Sequence, residues 1–100
     1  MIKYVLILKN RKKSLTEDLL NGHVEHLKNL DNAGILVLCG PLKDIEFNDG
    51  GMVIIEANDK KEAENYFLKD PFISEEYFGD YSIYELTEAN KANNWLMGDK

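Results

Sequence analysis

Apolar and polar positions come in blocks along this chain, and the length and period of each block predict an element. Ile2 to Leu8 is a β-rich apolar run broken only by Lys3. Both faces of the strand it predicts therefore need cover. A polar loop, Asn10 to Lys13, follows. From about Leu15 to Asn32 the apolar residues recur with the helical period instead. At 100° per residue, Leu19, Leu30, Leu27, Leu20 and Val24 share an arc roughly 140° wide, the width of a core-facing stripe. Ser14 and Glu17 fit a capping box ahead of this helix, and Gly34 suits the left-handed residue beyond its end. Gly22 lies mid-helix beside His23, where either a close approach or a tolerated surface glycine accounts for it.

Ile35 to Cys39 is a continuous apolar run and reads as a buried strand, ended by Gly40-Pro41. Leu42 to Asn48 is a loop or strand extension, and Asp49-Gly50-Gly51 is a turn signal. Met52 to Ala57 is again strand-like and can pair antiparallel with Ile35–Cys39. Asn58-Asp59 opens a second helix in which Asp59 and Glu62 repeat the capping logic. Its apolar face is Ala63, Tyr66 and Phe67, and Asp70 extends that face at the helix end, where Pro71 interrupts it. Phe72 to Gly79 reads as an aromatic loop, and Asp80 to Leu86 alternates as a fourth strand.

The resulting order, β-α-β-β-α-β, predicts an α+β fold of the ferredoxin-like type: a four-stranded antiparallel sheet with two helices on one face. Residues 1–87 make that domain and residues 88–100 a C-terminal tail. The tail is polar and asparagine-rich until Trp95-Leu96-Met97. It is either frayed or docks its tryptophan onto the body or onto a partner subunit. Because the first strand is apolar on both faces, a second copy of the sheet is expected to cover the face without helices. That would make a homodimer closed as a dimeric α+β barrel.

Composition narrows the partners. The chain carries 30% charged residues with a net charge of −6, and its basic residues cluster only at Lys9 to Lys13, a solvated loop. No nucleic-acid or membrane partner is expected. Cys39 is the sole cysteine, so no intramolecular disulfide can form. With no signal-peptide pattern and no apolar run of spanning length, the expected location is cytoplasmic.

Candidate chemistry begins with His23, which falls inside the apolar arc between Leu30 and Leu27. A titratable ring in a dry seam is either a core histidine with satisfied hydrogen bonds or an acid-base group. His26 sits at the edge of the arc, but no third ligand accompanies the two rings, so no metal is expected. The Cys39 thiol, in an apolar strand, should stay protonated and inert. Tyr66, Phe67, Phe72, Tyr77, Phe78 and Tyr81 suffice to line a pocket, and packing explains them equally well.

His23-x-x-x-Leu27 through Gly34, followed by Gly40-Pro41, resembles the helix-and-strand signature of the YCII (YciI-like) family. Glu62-Ala63 followed by Asp70-Pro71-Phe72 is similar to its second signature. The resemblance covers about residues 2 to 87. Leu20 stands where relatives often carry an arginine. The resemblance implies a ferredoxin-like dimeric barrel and a site built from a histidine and an aspartate. By position these are His23 and Asp70, with Gly40, Pro41 and Phe72 at the pocket. Some relatives are linked to dehydrochlorination of chlorinated aromatic diols. The expectation is a cofactor-free enzyme in which a His23–Asp70 pair performs proton transfer or elimination on a small cyclic substrate. The alternative is a non-catalytic dimeric module that binds a small molecule or serves as an accessory.

Overall fold

β1 (Ile2–Arg11) forms the spine of the computed structural model, which describes residues 1–43 and 50–98. Around it run α1 (Glu17–Asn32), β2 (Leu36–Leu42), β3 (Gly50–Ala57), α2 (Lys60–Phe67), a short α3 (Pro71–Ser74) and β4 (Phe78–Leu86). Turns of 3-10 helix over Lys91–Leu96 follow. The strands lie in the order β2-β3-β1-β4 and every neighbouring pair is antiparallel. This is the ferredoxin-like arrangement that the element order predicts.

Register sorts the side chains into two faces. Tyr4, Leu6 and Leu8 point toward the helices, opposite Ile55, Val53 and Gly51 of β3. Together with Leu19 and Leu30 of α1 and Ala63 and Phe67 of α2 they form the core. Each large side chain fully buried there contributes about 1.5–3 kcal/mol. On the other face an apolar row crosses all four strands: Leu38, Ile54, Val5 and Tyr84 stand abreast. Val5 is half-buried, while Leu38 and Tyr84 are exposed. Among the described residues no helix covers this side.

Several local expectations change. The cap of α1 is Thr16, whose hydroxyl accepts from the Leu19 N–H at 3.1 Å, so the helix starts at Glu17 and Ser14 lies outside it. Gly34 has a φ of +74°, the left-handed value expected past the helix end. The strand expected to be buried, Ile35–Cys39, becomes β2 and is largely exposed. It lies at the sheet edge, with β3 the one strand beside it among the described residues. Gly40-Pro41 does not end it: Pro41 pairs with Gly51, and an edge strand tolerates a residue without an N–H. Gly50 and Gly51 belong to β3 rather than to a turn, and 44–49 lies outside the described residues.

The second helix behaves as expected at its start, where the Asp59 carboxylate accepts from the Glu62 N–H at 2.8 Å. Glu62 reaches back to the Asn58 N–H at 3.1 Å. It ends at Phe67, however, and Asp70 caps the next helix instead of extending this one. The aromatic stretch expected as a loop supplies α3 and the first residues of β4.

Candidate functional site

Asp70-Pro71-Phe72 builds one wall. The residue before a proline is driven to extended backbone, and Asp70 has φ −70° and ψ 125°. Proline at the first helical position brings no N–H that would go unpaired. Asp70 Oδ1 then accepts from the Phe72 N–H at 2.9 Å, which fixes the carboxylate. α1 approaches this corner closely because residue 22 is glycine. A Cβ added there would lie 3.1 Å from Pro71 Cγ. The close approach, one of two readings open from sequence, is thus what the helix packing uses.

The next residue on α1 is His23, and the contact brings its ring onto Asp70. Nδ1 lies 2.9 Å from Oδ1 and 2.8 Å from Oδ2. Asp70 is 1% exposed. A carboxylate this deep needs partners, and the imidazole and the Phe72 N–H provide them. The His23 side chain is 14% exposed. The Phe72 ring stacks on the imidazole with centroids 3.7 Å apart and planes 8° from parallel, and Tyr77 and Phe78 pack behind it. With Nδ1 donating to the carboxylate, Nε2 is the nitrogen left for a ligand. Among the described residues no buried side-chain nitrogen or oxygen lacks a partner.

His23 borders a half-open hollow of about 460 Å³, within the range of small-molecule pockets. Gly40, Pro41 and Phe72 line it too, so all the residues singled out from sequence except Asp70 face one space. Asp70 stands behind His23 and is not part of the lining. Leu20 and Val24, expected in the core, also line the hollow and are exposed. A helical wheel gives the same stripe whether a helix rests on a sheet or overhangs a space. Part of the floor is Gly50 and Gly51, which carry no side chain to fill the gap. Arg11 stands at the border, and no carboxylate lines the hollow among the described residues. Nothing in the sequence separated Arg11 from the neighbouring loop cations.

Two further groups lie close by. Burial holds the His26 imidazole below its ordinary value; the Asp70 carboxylate opposes this, and His23 and Lys69 add to it. Cys39 is exposed rather than buried and borders the hollow. Partial desolvation, and then Asp31, raise its thiol pKa, so the thiol stays protonated. Among the described residues no group of three or more His, Cys, Asp or Glu side chains is placed to hold a metal. No helix among them is long and apolar enough to cross a membrane.

Fold and site together define a ferredoxin-like α+β domain with a carboxylate-backed histidine on a pocket wall. The chain belongs to the family of the YCII-related domain, whose model matches residues 2–88. Three solved structures share its fold. One is 5-chloro-2-hydroxyhydroquinone dehydrochlorinase from Burkholderia phenoliruptrix, in complex with 2,5-dihydroxybenzoquinone. It is 20% identical with a TM-score of 0.60, over 91% of this chain and 99% of that one. A second is hydroxynitrile lyase from Passiflora edulis, 14% identical, TM-score 0.50, covering 89% and 96% of the two chains. A third is a dimeric ferredoxin-like protein of unknown function from Thermobifida fusca, 14% identical, TM-score 0.50, covering 88% and 92%. A comparison with curated proteins by sequence gives no match.

Proposed function

We propose that this protein is an enzyme in which His23 moves a proton and Asp70 orients it, acting by elimination or proton transfer on a small cyclic molecule. The observation that carries the reading is the double contact of His23 Nδ1 with the Asp70 carboxylate, at 2.9 and 2.8 Å, on the wall of a ring-sized hollow. In the proposed step the neutral imidazole accepts, at Nε2, a proton from a substrate O–H or acidic C–H. The freed electron pair forms a double bond and expels the leaving group with its own pair. The imidazolium, stabilised by Asp70, then returns its proton to solvent or to the product. The chain's own residues supply this chemistry, and the proposal calls for no cofactor. The apolar lining suits a ring, and Arg11 at the border suits one that carries or develops negative charge. Elimination on such a ring is the activity named for the Burkholderia dehydrochlorinase, and lyase chemistry is named for the Passiflora enzyme.

We further infer that two copies pair through the open sheet face, whose row Leu38–Ile54–Val5–Tyr84 is apolar across all four strands. The Thermobifida protein is described as dimeric. A single free thiol, Cys39, fits a reducing cytoplasm.

The test is a panel of halogenated hydroquinones, cyanohydrins and lactones, incubated with the wild type and with His23→Gln and followed by release of halide, cyanide or ring-opened product. Turnover by the wild type and its loss in a folded variant are expected. A binding module instead would retain these molecules without converting any of them.

A further inference from the structure

Beyond Leu86 the chain folds on itself instead of returning to the body. Glu88 is tied to Lys3 by an ion pair of 3.5 Å. Asn90 and Asn93 then cap each other: the Asn90 side chain accepts from the Asn93 N–H at 3.1 Å, and the Asn93 side chain accepts from the Asn90 N–H at 3.0 Å. Asn93 Nδ2 donates to the Glu88 carbonyl at 2.8 Å, and the Asn94 amide donates to the Gly98 carbonyl. Three successive residues, Asn94, Trp95 and Leu96, have φ of 53°, 56° and 64°. L side chains rarely hold that left-handed conformation in succession. The polar groups of this knot satisfy one another, and its apolar side chains point outward. Trp95, Leu96 and Met97 are 60%, 52% and 63% exposed.

We propose that Trp95, Leu96 and Met97 form a hook that seats on a second copy of this chain, extending the contact made by the open sheet faces. The inference rests on the homodimer reading above. A cluster already ordered by hydrogen bonds loses little freedom on docking. The same molecule carries a second uncovered apolar surface, the row that ends on β4 at Tyr84, and Leu86 on that strand leads straight into the hook. In a two-fold pair each hook meets the other copy, so one contact covers both exposures. Two copies at a net charge of −6 each repel, and the added apolar area opposes that repulsion. The hook lies outside residues 2–88, so it belongs to this chain rather than to the shared domain.

Trp95 is the only tryptophan, so its fluorescence reports on the hook without labelling. The full chain is diluted through its dissociation range while sedimentation gives the oligomeric state and acrylamide quenching gives Trp95 accessibility. The dimer should show blue-shifted, protected emission that turns red and quenchable in step with dissociation. The double variant Leu96→Asp, Met97→Asp keeps the reporter and should dimerise at least tenfold more weakly. A dimer with fully quenchable Trp95 overturns the hook and leaves the sheet-face dimer standing. Protected Trp95 in a chain that sediments as a monomer also overturns it, because the hook then rests on its own body. A monomer at every concentration removes the dimer and the hook together.

Discussion

Tyr4, Leu6 and Leu8 lie on one face of β1 and are buried; Val5 and Ile7, between them in sequence, lie on the other and are only half-buried. The two sets are equally apolar. They differ in what stands opposite: α1 and α2 on one side and, among the described residues, no helix on the other. An apolar run states that a strand needs cover on both faces without saying whether the same chain provides it. The comparison separates positions that hold the fold from positions that await a partner.

The largest effect should come from the covered face. Phe67→Ala is expected to cost about 3–5 kcal/mol in a denaturant melt, as deletion of a buried aromatic does. Ile7→Ala should cost under about 1.5 kcal/mol at concentrations where the chain is monomeric, because a half-buried side chain leaves less of a cavity. Equal losses at the two positions would mean that the open face is already covered within one chain.

Next comes the site, which lies on the covered side and is polar. Asp70→Ala should destabilise by about 3 kcal/mol or more, because it strips both His23 and the Phe72 N–H of their buried partner. Asp70→Asn keeps one acceptor oxygen, for the Phe72 N–H, and should cost less. A loss under about 1 kcal/mol for Asp70→Ala, measured the same way, would show that the carboxylate is not holding the corner.

Smaller still is the cap of α1. Thr16→Ala should cost about 1 kcal/mol, and Ser14→Ala close to nothing. The reverse ranking would restore the capping box that begins at Ser14.

The smallest effect is a pH slope. Burial holds the folded His26 pKa below its ordinary 6.5, so as pH falls the unfolded chain takes up this proton first. The stability that the neutral ring contributes is present above pH 6.5 and is lost as pH drops below it. His26→Gln should flatten the stability curve on the acid side of that point. An unchanged curve would mean that His26 is as well solvated in the fold as in the unfolded chain.

Much of this was legible in advance because periodicity and punctuation are local. Asp59 and Glu62 announced the second helix, and Gly34 the end of the first. Thr16 was missed because Ser14, three residues before Glu17, completes a capping-box pattern, whereas the residue three beyond Thr16 is Leu19. β2 was misread because Ile35–Cys39 is as apolar as any central strand; its place at the edge follows from the strand order. The pairing of His23 with Asp70 crosses 47 residues. The wheel gave His23 its odd position in an apolar stripe, and Asp70 came from family resemblance. What joins them is the contact of Gly22 with Pro71, and no single-residue propensity encodes it.

The central claim is that the Asp70 carboxylate holds the His23 ring so that Nε2 is free for a ligand. Nitrogen-15 NMR of the His23 imidazole tests this directly, at a pH where the ring is neutral and again with a small phenol or lactone added. The account predicts a proton on Nδ1, a bare Nε2 whose resonance moves when the ligand binds, and loss of the tautomer preference in Asp70→Asn. A proton on Nε2 in the wild type, or an Nδ1 signal indifferent to the loss of the carboxylate, would contradict it.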